Sequence, residues 1–163
     1  TQFTASNFHD TIASGDFNSD GKTDLVTSNN LGGISVLLNT TTPGAASPSY
    51  ASGVSFSAGS TPTGVAGADF NGDGLLDIVA ANYNSNNISV FLNTVTPGAT
   101  APSFSTAVNF PAGTHPRGVY TQDLNGDGKP DVAVTNTDDT SSTITVYSTP
   151  RRLVRWPPPW PAQ

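Results

Sequence analysis

The chain has 163 residues, enough for one domain with a true core, but only 11% of them are charged. Its formal net charge of −6 comes from 12 acids, all aspartate, against six basic residues, a balance that argues against a nucleic-acid-binding surface. The absence of cysteine excludes a disulfide framework, a thiol nucleophile and a cysteine zinc site, and no apolar run approaches the ~18 residues of a membrane span.

No segment keeps a helical period, while β-branched residues alternate with Gly, Pro and Asn punctuation, so an all-β fold is expected. In chain order, FTASNF (3–8) reads as a short strand. An acidic loop, DFNSDGKTD (16–24), then runs into the apolar pair Leu25-Val26. A turn at Asn29-Asn30 precedes the alternating strand ISVLL (34–38), and a Pro/Gly loop leads to another strand ending in Val54-Ser55-Phe56. GVAGAD (64–69) opens a second acidic loop, DFNGDGLLD (69–77). After it come Ile78-Val79, the turn AANYNSNN (80–87) and the strand ISVFL (88–92). Residues 92–110 then match 38–56 almost position for position. GVYTQD (118–123) opens a third acidic loop, DLNGDGKPD (123–131), followed by Val132-Ala133-Val134 and the strand ITVY (144–147). The remainder, STPRRLVRWPPPWPAQ (148–163), departs abruptly in composition and holds three of the six basic residues and both tryptophans. It reads as a linker, a scar or a substitute strand, with PPPWP in polyproline II.

The loops begin at residues 16, 69 and 123, so a unit of about four strands recurs after 53 and then 54 residues. That period predicts β-propeller blades, which bury their faces only against neighbours; an ordinary β-sandwich is the alternative. Three units are expected, near 1–49, 50–103 and 104–147, followed by a tail at 148–163.

Within each loop, counted from its first Asp, carboxylate or amide oxygens fall at positions 1, 3, 5 and 9, with Gly at 6. The residue at position 7 (Lys22, Leu75 or Lys129) can offer its carbonyl. Nine of the 12 acids sit in these loops. Turn formation alone needs one or two such residues, and clustered like charges repel unless a cation offsets them. A set of hard oxygen donors in a flexible loop suits calcium better than magnesium. Three divalent ions would also balance the formal charge.

The stretches GDFNSDGKTDLV, ADFNGDGLLDIV and QDLNGDGKPDVAV resemble the FG-GAP/VCBS repeats of bacterial secreted proteins, related to the integrin α-subunit propeller. The resemblance covers roughly residues 1–147. It implies a calcium-binding, secreted or extracellular β-propeller used in adhesion or ligand binding. By the same resemblance Asp16, Asn18, Asp20, Lys22 (carbonyl) and Asp24 would hold one ion. Asp69, Asn71, Asp73, Leu75 (carbonyl) and Asp77 would hold a second, and Asp123, Asn125, Asp127, Lys129 (carbonyl) and Asp131 a third. Family propellers commonly carry six or seven blades, and this chain has three.

Three blades cannot close a ring. The strand at 3–8 has the sequence of a unit's last strand, which the third unit lacks, so it is expected to complete that blade in another chain. Reciprocal exchange would give a six-bladed homodimer with twofold symmetry, and exchange without closure a filament; a piece of a longer propeller is the remaining alternative. The chain lacks an initiator Met and a signal-like segment, as a mature or trimmed product would.

No nucleophile elbow, phosphate loop or metal-spaced histidine pair appears: His9 and His115 stand alone. A non-enzymatic module is expected. At the end of the blades opposite the acidic loops, Tyr83, Asn84, His115 and Arg117 are the candidate residues for a glycan or protein ligand, a lectin-like alternative.

Overall fold

The structure is a computed structural model and describes residues 11–138 and 142–149. The expected strand at 3–8, together with His9 and the tail from residue 150 onward, lies outside those residues. Among the described residues the chain forms eleven strands and no helix.

The strands make three antiparallel meanders. The first sheet runs β1 (Ile12–Gly15), β2 (Asp24–Asn29), β3 (Gly33–Leu37), β4 (Val54–Ser57). The second runs β5 (Pro62–Ala68), β6 (Asp77–Asn82), β7 (Asn87–Phe91), β8 (Val108–Pro111). The third has three described strands, β9 (Pro116–Gln122), β10 (Asp131–Thr137) and β11 (Ser142–Tyr147). The same register recurs in each sheet, pairing Val26 with Val36, Val79 with Val90 and Ala133 with Val146. Sequence repetition is thus carried into hydrogen bonding.

The strand after each Pro/Gly loop is the last of its sheet, with Val36 paired to Val54 and Val90 to Val108, so the sheets run a few residues past the unit bounds drawn near 49 and 103. Antiparallel pairing across the Pro/Gly loop is reinforced by bridges between Asn39 and Tyr50 and between Asn93 and Phe104.

The core lies between sheets. Phe17, Val26, Ile34 and Val36 of the first repeat meet Val65, Ile78, Ala80 and Phe91 of the second. The opposite face of the second sheet carries Ala66, Val79, Ala81, Ile88 and Val90 against Val132 and Val134 of the third. The second sheet is therefore covered on both faces, which is why β6 reads DIVAAN without alternation and is buried throughout. Each fully buried Val, Ile or Phe stabilises by about 1.5–3 kcal/mol relative to exposure.

The strands nearest the line where sheets converge also exchange polar contacts. Thr11 donates its hydroxyl to the Thr63 carbonyl (2.7 Å), and Thr63 in turn donates to the Pro116 carbonyl (3.0 Å). Thr121 reaches back to the Gly67 carbonyl (3.1 Å). This closeness requires glycine: a methyl at Gly64 would run into the backbone carbonyl of Arg117. Gly64→Ala should therefore destabilise the protein by about 1–3 kcal/mol in denaturant unfolding, the usual cost of overpacking. An unchanged midpoint would contradict this account of how the second and third sheets meet.

Candidate metal centres

Each acidic loop joins the first strand of a sheet to the second, so both its ends are held by strand pairing. Glycine at position 6 takes a left-handed conformation in all three loops (φ 84° at Gly21, 86° at Gly74, 85° at Gly128), which folds the chain back on itself.

The carboxylate at position 1 then accepts amides from across the turn. Asp16 accepts from Asp20 (3.1 Å) and Gly21 (2.8 Å). Asp69 accepts from Gly72 (2.7 Å), Asp73 (3.2 Å) and Gly74 (2.8 Å). Asp123 accepts from Gly126 (2.7 Å), Asp127 (3.1 Å) and Gly128 (2.8 Å). The side-chain oxygen at position 3 accepts the same position-5 amide, at 3.3 Å for Asn18 and 2.9 Å for Asn71 and Asn125. Position 5 accepts the amide of position 7: Asp20 from Lys22 (2.9 Å), Asp73 from Leu75 (2.9 Å) and Asp127 from Lys129 (3.1 Å). Oxygens at positions 1, 3 and 5 are thus gathered by one network of amides, in three copies. The amide bonds from Gly128 above all hold the Asp123 carboxyl below its ordinary value.

Position 9 is different. Asp24, Asp77 and Asp131 are fully buried. One oxygen of each accepts the amide of position 2, from Phe17 (2.8 Å), Phe70 (2.9 Å) or Leu124 (3.1 Å). The other accepts an amide from just beyond the third strand, from Asn39 (2.7 Å), Asn93 (2.7 Å) or Thr149 (3.1 Å). Burial raises the Asp24 carboxyl against the pull of these amides and pushes Asp77 up to about 6.

Sequence reasoning singled out position 9 as a ligand and missed this clamp. It also missed the residues that complete it. Asn39, Asn93 and Thr149 donate their side chains to the carbonyl at position 8, from Thr23 (2.9 Å), Leu76 (2.9 Å) and Pro130 (2.6 Å). The signal was present in the Leu-Asn-Thr that follows the first two long strands. Asn18 carries a further cross-repeat bond, donating to the Ala99 carbonyl (2.9 Å).

The donor set is all oxygen, anionic at three positions and amide at one, which fits a hard cation and calcium best. Among the described residues, no three acids or histidines are grouped as a ready-made cage. Uptake of an ion therefore requires positions 1, 3 and 5 to close in while position 9 stays clamped.

At the other end of the sheets, three of the four candidate ligand residues come together. Tyr83 and His115 stack with ring centroids 4.3 Å apart, and the Arg117 guanidinium carbon lies 4.9 Å from the Tyr83 centroid. Asn84 turns instead to Thr61, donating to its hydroxyl (2.7 Å). The arrangement follows from loop pairing: the amides of Tyr83 and Asn84 reach the carbonyls of Thr61 and Ser60, and the His115 amide reaches Asn86.

A family model described as FG-GAP-like repeat matches residues 16–80 and again 69–134. Each match starts on the first Asp of a loop and runs through one sheet into the second strand of the next. No curated protein matches the chain.

The buried clamp has a pH signature. Because Asp77 and Asp24 bind protons more readily folded than unfolded, stability without metal should fall as pH rises from about 4 through about 6. Asp123, lowered instead, acts only below about 4. In chelator the melting temperature should climb as pH falls from 7 to about 4, with Asp77 contributing at most about 3 kcal/mol over that range. Asp77→Asn should flatten that slope; a slope of the opposite sign would contradict the clamp's electrostatics.

Proposed function

We propose that this chain, which belongs to the FG-GAP-like repeat family, is a non-enzymatic extracellular module of propeller blades whose acidic loops take up calcium in a structural role. The observation that carries the reading is the threefold recurrence of one oxygen-rich loop with one hydrogen-bond pattern. Family membership supports the propeller-type architecture, and the earlier resemblance to secreted and adhesive proteins supports the extracellular setting.

The chain's own residues define what calcium would do. Amides tether the oxygens at positions 1, 3 and 5 to one turn, from which an ion would still have to draw them into a cage. Asp24, Asp77 and Asp131 tie that loop to the end of the third strand, so an ion held in the loop stiffens two strand connections at once. The role is structural because the loops lie at strand ends and the acids are committed to the hairpin itself.

Calorimetric titration should register about three ions per chain. With free calcium at about ten times Kd, each site adds ~1.4 kcal/mol. Three sites together raise the melting temperature by about 10 °C over the chelated protein. Asp73→Asn should reduce the stoichiometry by one. Absence of heat together with unchanged melting in chelator would refute the calcium reading.

A second reading rests on the Tyr83, His115 and Arg117 contact. Stacked rings beside a guanidinium, ringed by Thr61, Asn84 and Asn86, offer planar and hydrogen-bonding surface of the kind sugars or peptides use. A glycan array should then give signals that Arg117→Ala and Tyr83→Ala abolish while melting stays within a few degrees. A blank array would leave the cluster as a staple between the second and third sheets.

A further inference from the structure

The three acidic loops differ chemically at positions 3 and 4. Asn71-Gly72 and Asn125-Gly126 are the only Asn-Gly pairs in the chain, and the first loop has Asn18-Ser19 in their place. An Asn side chain followed by glycine is open to attack by the next backbone nitrogen, because glycine has no Cβ to shield that nitrogen. The space for it is present: a Cβ built at Gly72 or Gly126 meets nothing within 4 Å. Gly72, Asn125 and Gly126 are exposed and Asn71 is half-buried, so water reaches both pairs.

The hydrogen bonds of these two turns serve both partners of such an attack. The nucleophile is the N–H of Gly72 or Gly126, which donates to a carboxylate oxygen of Asp69 or Asp123, 2.7 Å away in each loop. A backbone nitrogen attacks only as its proton leaves, and that oxygen is placed to take it. The electrophile is Cγ of Asn71 or Asn125, whose Oδ1 accepts the N–H of Asp73 or Asp127, 2.9 Å away in each. That donor stabilises the negative charge gathering on Oδ1 as the new bond forms. The first loop is arranged otherwise. Asp16 accepts from Asp20 and Gly21, and the Asp20 N–H lies 3.3 Å from Oδ1 of Asn18. Asn18 itself is only 3% exposed, with Nδ2 held by the Ala99 carbonyl.

We infer that Asn71 and Asn125 are sites of self-modification, losing their side-chain nitrogen through a cyclic imide with Asp69 and Asp123 as the bases, while Asn18 is spared. The Gly72 nitrogen bonds to Cγ of Asn71 and passes its proton to Asp69. The Cγ–Nδ2 bond then breaks, and Nδ2 leaves as ammonia with the proton that Asp69 returns. One water opens the ring. Attack at Cγ leaves aspartate at position 3; attack at the backbone carbonyl carbon leaves isoaspartate, with the main chain routed through the side chain. The third loop follows the same course through Gly126, Asn125 and Asp123. Either product adds one negative charge to its loop, and isoaspartate also lengthens the main chain by one carbon between positions 3 and 4. The chain and water supply every atom, so the calcium reading stands or falls separately.

The test is to hold the full chain for several weeks in chelator, well below its melting temperature, and to follow each loop by peptide mass mapping with enzymatic methylation of isoaspartate. Asn71 and Asn125 should convert while Asn18 keeps its nitrogen, and isoelectric focusing should show two successive acidic steps. Asp69→Asn still offers an oxygen to the Gly72 N–H but cannot take its proton. It should slow Asn71 at least about tenfold, with Asn125 of the same molecules unchanged. Asp123→Asn should slow Asn125 alone. Gly72→Ser, which copies the Asn-Ser of the first loop, should also slow Asn71; Ser19, at φ 56°, shows that such a loop accepts serine. Melting of each variant shows that it is folded. Equal conversion in all three loops, no conversion at Asn71 and Asn125, or an Asn71 rate unmoved by Asp69→Asn would overturn the inference.

Discussion

A buried carboxylate holding two backbone amides that lie far apart in the chain is the contact on which the rest of each repeat depends. Asp24, Asp77 and Asp131 accept one amide from within the acidic loop and one from beyond the third strand, 15 to 18 residues further on. A charge taken out of water is tolerated only where donors replace its hydration, and hydrogen bonds to a charged group contribute about 1.5–3 kcal/mol. Losing the carboxylate would leave two backbone amides without an acceptor. The clamp thus fixes the loop's position against the sheet, and the loop's oxygens at positions 1, 3 and 5 inherit that position.

This arrangement explains how a chain of short strands with few charged residues makes a defined structure. No single sheet has a core; the apolar clusters form only where two sheets meet. Sheets that must lean on each other need their ends fixed, and fixing is done by polar contacts at both ends. At one end stand the aspartate clamps with Asn39, Asn93 and Thr149. At the other, paired loops bring Tyr83 to His115, and the Tyr147 hydroxyl reaches the Pro111 carbonyl of the second sheet.

Much of this was legible in the sequence because repetition multiplies a weak local signal. One Asp-Asn-Gly loop reads as a turn; three at a constant spacing read as a site, and the strands on either side come with it. Only the exact bounds of the repeat were not legible, since the Pro/Gly loop before Val54 gives no local sign of where one sheet ends and the next begins. The dual role of position 9 was hidden for a related reason. An aspartate that accepts amides and one that awaits a cation are the same letter, and only burial separates Asp77 from the exposed Asp73. Loop placement singled out Tyr83, Asn84, His115 and Arg117 at one end of the sheets, and Tyr83, His115 and Arg117 do meet there although Arg117 lies 34 positions from Tyr83; Asn84, next to Tyr83 in sequence, points to another loop instead.

Amide hydrogen exchange on the native protein tests the clamp most directly. If the carboxylates at position 9 hold the repeats together, the amides of Phe17, Phe70, Asn39 and Asn93 exchange as slowly as the core amides of Val79 and Val90, although none of the four lies within a strand. Exchange of those four amides at the rate of exposed loops, with the core strands still protected, would contradict the account.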